Sequence, residues 1–163
     1  MNSTNYIKSC CLCGSIDIEI NNDLINSPPA NNLYDSLQDS LSAEQYPLGI
    51  AICNKCNHFQ LSYEVDPIKL FSNYTYKSGV SIAFQKHFKK LSKHLMSRVK
   101  SKAKALKALD IGCNDGYLLD CFSDLGCETY GFEPAKNLIG SISNKHTIYN
   151  DFFDEQNSNK VLS

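Results

Sequence analysis

The chain has 163 residues, with 16 basic and 17 acidic side chains and a formal net charge of -1. That length suits one ordinary domain or two small ones, and the balanced charge gives no general attraction to nucleic acid or an anionic membrane. No apolar run approaches the ~20 residues of a membrane helix, and the opening MNSTNYIKSCC lacks the apolar core of a signal peptide, so a cytoplasmic protein is expected.

Eight cysteines stand at 10, 11, 13, 53, 56, 113, 121 and 127. In a reducing compartment such a number points to metal ligands or buried thiols rather than disulfides. Cys10-x-x-Cys13-Gly14 and Cys53-x-x-Cys56-Asn57 form two matched knuckles. Each can place two thiolates on one tetrahedral ion at about 2.3 Å, and a Gly or Asn after the second cysteine tolerates the positive φ that wraps backbone around a metal. Cys10, Cys13, Cys53 and Cys56 are therefore expected to hold a structural zinc. A redox CxxC is the alternative, Cys11 the spare ligand if Cys10 is not one, and His58 a weaker candidate. Thirty-nine residues separate the pairs. The polar stretch 21–45, rich in Asn, Ser, Asp and Pro, reads as a long inserted loop with one short helix near Leu33 to Leu41. Residues 1–66 thus read as one small zinc-binding module.

Residues 67–80, PIKLFSNYTYKSGV, form an aromatic linker. From Ser81 to about Ala105 the pattern is helical, with Ile82, Phe84, Phe88, Leu91, Leu95 and Val99 mostly three or four apart. Leu106 to Ile111 reads as a strand, Tyr117 to Leu125 as a helix, and Thr129 to Phe132 as a second strand. Pro134 to Ser143 reads as a helix with its proline in the first turn, and Thr147 to Tyr149 as a third strand. This alternation over 81–163 predicts an α/β fold, the first half of a doubly wound, Rossmann-like sheet.

LDIGCNDGYLL, residues 109–119, has the form strand, glycine turn, helix. Gly112 and Gly116 permit a sharp turn and close approach of a ligand to backbone. A dinucleotide site wants G-x-G-x-x-G. Here Asn114 and Asp115 occupy the middle and Asp110 precedes the turn, which suits a ligand with a cationic amino acid end better than a pyrophosphate. Glu133, at the end of the next strand, can accept both hydroxyls of a ribose. S-adenosylmethionine carries both groups and is favoured over NAD. A plain βα turn and a solvated glutamate are the alternative.

The order CxxCG, CxxC, YTYKSG, LDIGCNDGYLL, GFEPAKN and DFF resembles the nucleotide-sugar C-methyltransferases, from Cys10 to about Phe153. These enzymes use S-adenosylmethionine to methylate a carbon of a deoxy-keto sugar carried on a nucleoside diphosphate. The resemblance implies a zinc on Cys10, Cys13, Cys53 and Cys56, and cofactor contacts at Asp110, Gly112, Asn114, Asp115, Gly116 and Glu133. Tyr76 and Ser78 match a linker that in the family folds over cofactor and sugar. Asn57 stands where a glycine is more usual.

Family members are longer, and their tyrosine and histidine acid/base residues lie beyond the matched part. Lys160 to Ser163 falls about where another strand of the sheet should begin. The chain is therefore expected to be an N-terminal fragment, poorly stable alone, weak in binding S-adenosylmethionine and inactive on sugar. No catalytic residue is assigned, and His87 and His146 match no catalytic position. Three rivals stand beside this reading. One is a non-catalytic zinc module whose partner chain supplies the rest of the sheet. Another is a methyltransferase with an O- or N-directed acceptor. The third is a nucleic-acid-binding zinc ribbon, supported only by Lys86, Lys89, Lys90, Lys93, Arg98, Lys100, Lys102, Lys104 and Lys107, which read instead as the solvated face of a helix.

Overall fold

A computed structural model describes residues 5–21, 24–99 and 106–162. The chain divides into two compact units between Leu70 and Phe71.

The first unit contains β1 (Ile18–Asn21), α1 (Leu37–Leu41), β2 (Ile50–Cys53), β3 (Phe59–Leu61) and most of α2 (Pro67–Phe71). The strands make an antiparallel sheet in the order β1-β2-β3, with Ile18 opposite Cys53 and Ile52 opposite Phe59. Side chains alternate between its faces. Ala51 and Cys53 share the buried face, while Ile50, Ile52, Phe59 and Leu61 share the other, where Phe59 is 63% exposed. The sequence reading assigned none of these strands. They are three or four residues long, too short for a clear period of two, and one inward residue is a cysteine rather than an aliphatic. The insertion carries α1, capped by Ser36, whose Oγ accepts from the Asp39 N–H at 3.1 Å. Its ends are tied by paired backbone bonds between Ser27 and Tyr46, each 2.9 Å.

The second unit runs α3 (Ile82–Arg98), β4 (Lys107–Ile111), α4 (Tyr117–Ser123), β5 (Glu128–Phe132), α5 (Lys136–Ile139), β6 (Thr147–Tyr149) and α6 (Glu155–Leu162). Its sheet is parallel in the order β4-β5-β6, with Asp110 beside Gly131 and Phe132 beside Tyr149. This is the beginning of a Rossmann-like sheet, as the alternation predicts. The central strand is the most buried: Thr129 and Phe132 belong to the core with Leu119 and Leu138. Gly131 is there for space, since a Cβ would sit 2.7 Å from the Cys113 sulfur and 2.9 Å from Leu119 and Ile148. On β4, an edge strand among the described residues, Leu109 and Ile111 are exposed.

Three expectations are corrected. The inward stripe of α3 is Gln85, Phe88, Leu91, Ser92 and Met96, whereas Ile82, Phe84, Leu95 and Val99 are exposed. The turn at Gly79 and the Cys127 thiol select that face, through bonds to Gln85 Nε2 (2.6 Å) and the Met96 sulfur (3.5 Å). Lys160 itself lies in a helix rather than a strand, because Asp154 Oδ1 accepts the Asn157 N–H at 2.7 Å and starts α6. The helix placed at Pro134 to Ser143 shrinks to Lys136–Ile139, because Ala135 is tied back to Glu133 and Gly140 closes the turn. Lys86, Lys89, Lys90, Lys93 and Arg98 are exposed, as a solvated face requires, while Lys100, Lys102 and Lys104 lie outside the described residues. No helix among the described residues is long and apolar enough to cross a membrane.

Candidate functional site

The four knuckle cysteines converge. The sulfurs of Cys10, Cys13, Cys53 and Cys56 all lie within 4.8 Å of one another, with Cys10 to Cys56 at 3.7 Å and Cys13 to Cys53 at 3.6 Å. A tetrahedron with zinc–sulfur bonds of about 2.3 Å has edges of about 3.8 Å, so the set fits zinc and leaves no open position. Gly14 and Asn57 carry φ of 70° and 58°, and their N–H groups close the knuckles onto the Cys10 and Cys53 carbonyls at 2.9 and 2.8 Å. Thiolates this close repel unless a cation sits between them. Desolvation opposes ionisation of Cys53, yet backbone donors at Cys56 and Lys55 and the thiols of Cys13 and Cys56 outweigh it, bringing Cys53 down to about 7. The His58 N–H favours the Cys56 thiolate, but desolvation and the neighbouring thiols push Cys56 up to about 12. Cys11 and His58 stand outside the cluster and bond each other, Sγ to Nε2, at 3.3 Å.

In the second unit the turn after β4 holds three left-handed residues: Gly112 (φ 74°), Asn114 (φ 54°) and Gly116 (φ 79°). The Phe132 carbonyl anchors it by accepting the N–H groups of Gly112 and Cys113 at 2.8 and 3.0 Å. A Cβ on Gly112 would meet nothing within 4 Å, so the backbone there is open to a ligand. Gly116 is closed, since a Cβ would lie 2.8 Å from Ile142 Cγ2. Glu133 is buried, and its two carboxylate oxygens accept the N–H groups of Asn114 (2.7 Å) and Ala135 (2.9 Å). Asp110, one turn of chain earlier, is raised to about 6 by burial and then by the negative charge of Glu133, and no hydrogen bond offsets these.

Beside these groups lies a cleft of about 390 Å³, whose lining includes Gly112, Asn114, Glu133, Asp151 and Phe153. It opens at the carboxyl ends of the parallel strands, the place where α/β sheets bind ligands. Of the residues expected at the site, Gly112, Asn114 and Glu133 line it, whereas Asp110, Asp115 and Gly116 stand beside it in the strand end and the turn, outside the lining. The side chains of Asn114 and Asp115 point to the linker: Asn114 Oδ1 accepts the Ser78 N–H at 2.9 Å, and Asp115 Oδ2 accepts the Gly79 N–H at 2.7 Å. Tyr76 contributes its carbonyl to Asn114 at 2.9 Å, while its ring leans on Phe84. Asp151, Phe152 and Phe153 were missed as lining residues. The DFF run was visible, but nothing in its spacing says that it follows a strand beside Glu133. His87 is exposed against Phe88. His146 is buried, bonded to Thr129 Oγ1 at 2.6 Å and Asp120 Oδ1 at 3.1 Å. It faces the interior of the α/β unit, away from the cleft lining.

Residues 10–71 match the family model Methyltransf_13, described as a zinc binding domain. A C-methyltransferase from Streptomyces niveus, NovU, is 28% identical over 134 residues, which cover 82% of this chain and 32% of the relative. The chain thus spans about a third of the length of that relative. A zinc-binding domain over residues 10–71 agrees with the four-sulfur cluster, and the similarity to a C-methyltransferase extends over most of the chain.

Proposed function

We propose that the 71–163 unit binds S-adenosylmethionine and that the chain serves C-methylation of a nucleotide-linked deoxy-keto sugar. The carrying observation is the strand-end cleft lined by Gly112, Asn114 and the buried Glu133; beside it the half-buried Asp110 is raised to about 6 by burial and by Glu133, with no cation among the described residues to answer it. A ligand carrying an ammonium group answers that demand. The open backbone at Gly112 leaves room for the ligand's chain, and the exposed edge of Phe153, packed at 5.1 Å on Phe132, offers an aromatic wall. Glu133 keeps unused lone pairs after its two backbone bonds, and these suit a ribose diol.

When bound, S-adenosylmethionine supplies an electrophilic methyl group. The chain's own residues bind and orient: Asp110 would take the ammonium and Glu133 the ribose. Carbon as the acceptor follows the name of the Streptomyces relative, and the nucleotide-sugar class follows the resemblance of YTYKSG, NDGYLL and GFEPAKN. The zinc site is closed and serves folding of the first unit. Isothermal titration tests the reading. Saturable binding of S-adenosylmethionine, lost in Asp110→Asn, supports it. Absence of saturation by the native chain, or equal affinity in the variant, overturns it.

A further inference from the structure

We propose that Asn114 and Asn137 are strap-positioning residues. Their side-chain amides hold the segment from Ser72 to Gly79 as one wall of the cleft, and so set how long a ligand stays there. The ligand is that of the cofactor reading above; the clasp itself rests only on geometry.

Residues 72–77 form no helix or strand. Such a segment must still satisfy its backbone polar groups, and here side chains do so. Asn137 Oδ1 accepts the Tyr74 N–H at 3.0 Å while Asn137 Nδ2 donates to the Tyr74 carbonyl at 2.8 Å. Asn114 does the same across Tyr76 and Ser78, donating from Nδ2 to the Tyr76 carbonyl at 2.9 Å and accepting the Ser78 N–H at 2.9 Å. Each amide thus imitates an adjacent strand. Asp115 Oδ2 and Gln85 Nε2 take the N–H and carbonyl of Gly79 at 2.7 and 2.6 Å. Gly79 is held too closely for any side chain, since a Cβ would lie 2.8 Å from Asp115 Oδ2 and 3.2 Å from Tyr117.

The strap is therefore pinned from three directions: the glycine turn, α5 and α3. Phe71 and Tyr74 line the same cleft as Gly112, Glu133 and Asp151, so the position of Tyr74 defines the wall. The binding is local. A strap held by a few side-chain bonds, without a ladder, belongs to the low-stability end of a structure and opens while the sheet stays intact. A residue that merely supported the fold would lower global stability; these two act on strap opening.

Amide hydrogen exchange on the full chain tests the clasp, with the Phe132 amide of β5 as the internal control. In the native chain the Tyr74, Ser78 and Gly79 amides should be protected. Asn137→Ala should speed exchange at Tyr74 about five- to tenfold, and Asn114→Ala should do so at Ser78, as loss of one hydrogen bond implies, with Phe132 unchanged. Asn137→Asp retains the acceptor and should keep Tyr74 protected, a check that survives if the alanine variant folds poorly. Dissociation of S-adenosylmethionine should quicken severalfold in both alanine variants. Native amides exchanging at unfolded-chain rates, or alanine variants protected like the native chain, would overturn the clasp. Unchanged dissociation with altered exchange would overturn its effect on residence. A native chain that binds no S-adenosylmethionine would overturn the cofactor reading and the residence claim, while the exchange pattern still judges the clasp.

Discussion

Replacing Asp110 with asparagine separates the electrostatic cost of the site from its function. Asp110 is lifted from its ordinary 3.8 to about 6, first by burial and then by Glu133. At 1.36 kcal/mol per pH unit, holding this carboxylate ionised costs the fold up to about 3 kcal/mol, an upper figure because the group is only partly buried. The sign follows from linkage. A carboxyl raised in the folded state favours folding below its unfolded value, near pH 4, and that advantage is lost as pH rises through about 6. The native chain should therefore lose about 2 kcal/mol in the second unit between pH 4 and pH 7.5 from this group alone. Asp110→Asn should be more stable than the native chain by about that amount at pH 7.5 and nearly equal to it at pH 4. Urea titration read on the methyl signals of Leu119 and Leu138, both buried in the second unit, measures this without interference from the zinc module. The same variant should lose S-adenosylmethionine binding. A stability difference independent of pH would refute the argument, as would a variant less stable at pH 7.5.

Other substitutions probe the remaining parts. Gly116→Ala places a Cβ 2.8 Å from Ile142 Cγ2 at a φ of 79°, so it should cost about 1–3 kcal/mol by strain and crowding, read as a lower urea midpoint of the second unit. Glu133→Gln turns one acceptor into a donor facing the N–H of Asn114 or Ala135; it should cost about 1–3 kcal/mol and also bring the Asp110 titration, followed by carboxyl NMR, below about 6. Cys53→Ser should abolish stoichiometric zinc, measured by elemental analysis, whereas Cys11→Ser, outside the four-sulfur cluster, should retain it.

Much of the architecture was legible because it is written locally. The knuckle spacing with Gly14 and Asn57 is short-range chemistry, and both residues adopt the positive φ that their types allow. Alternating elements after residue 106 follow from apolar runs punctuated by glycines. The inward face of α3 was not legible, because apolar residues occur all around that helix and the choice depends on Gly79 and Cys127. The roles of Asn114 and Asp115 were half legible. Their place in the turn could be read, but their partners lie 36 residues away in sequence, and nothing local specifies such a contact. Asn137, 63 residues from Tyr74, gave no signal at all. The start of α6 was readable in principle from Asp154, three residues before Asn157, a capping pattern that the expected strand obscured.

Asn114 is the position where these threads meet, and its identity can be argued from what each alternative would lose. Its N–H serves Glu133, its amide serves the strap on both sides, and its backbone is left-handed. Aspartate would keep the conformation but lose the donor to Tyr76 and add a further negative charge beside Asp110, Asp115 and Glu133. Glutamine would keep the amide on a longer arm that fits this backbone less well. Glycine keeps the backbone and the bond to Glu133 and loses only the strap. Asn114→Gly should relieve about 1 kcal/mol of left-handed strain and forfeit two hydrogen bonds of about 1 kcal/mol each, leaving global stability within about 1 kcal/mol of native. The Ser78 amide, by contrast, should lose its protection while the Phe132 amide keeps its own. If Ser78 stayed protected in this variant, the strap would be held by something other than the asparagine; if Phe132 lost protection too, Asn114 would be a pillar of the sheet rather than a clasp.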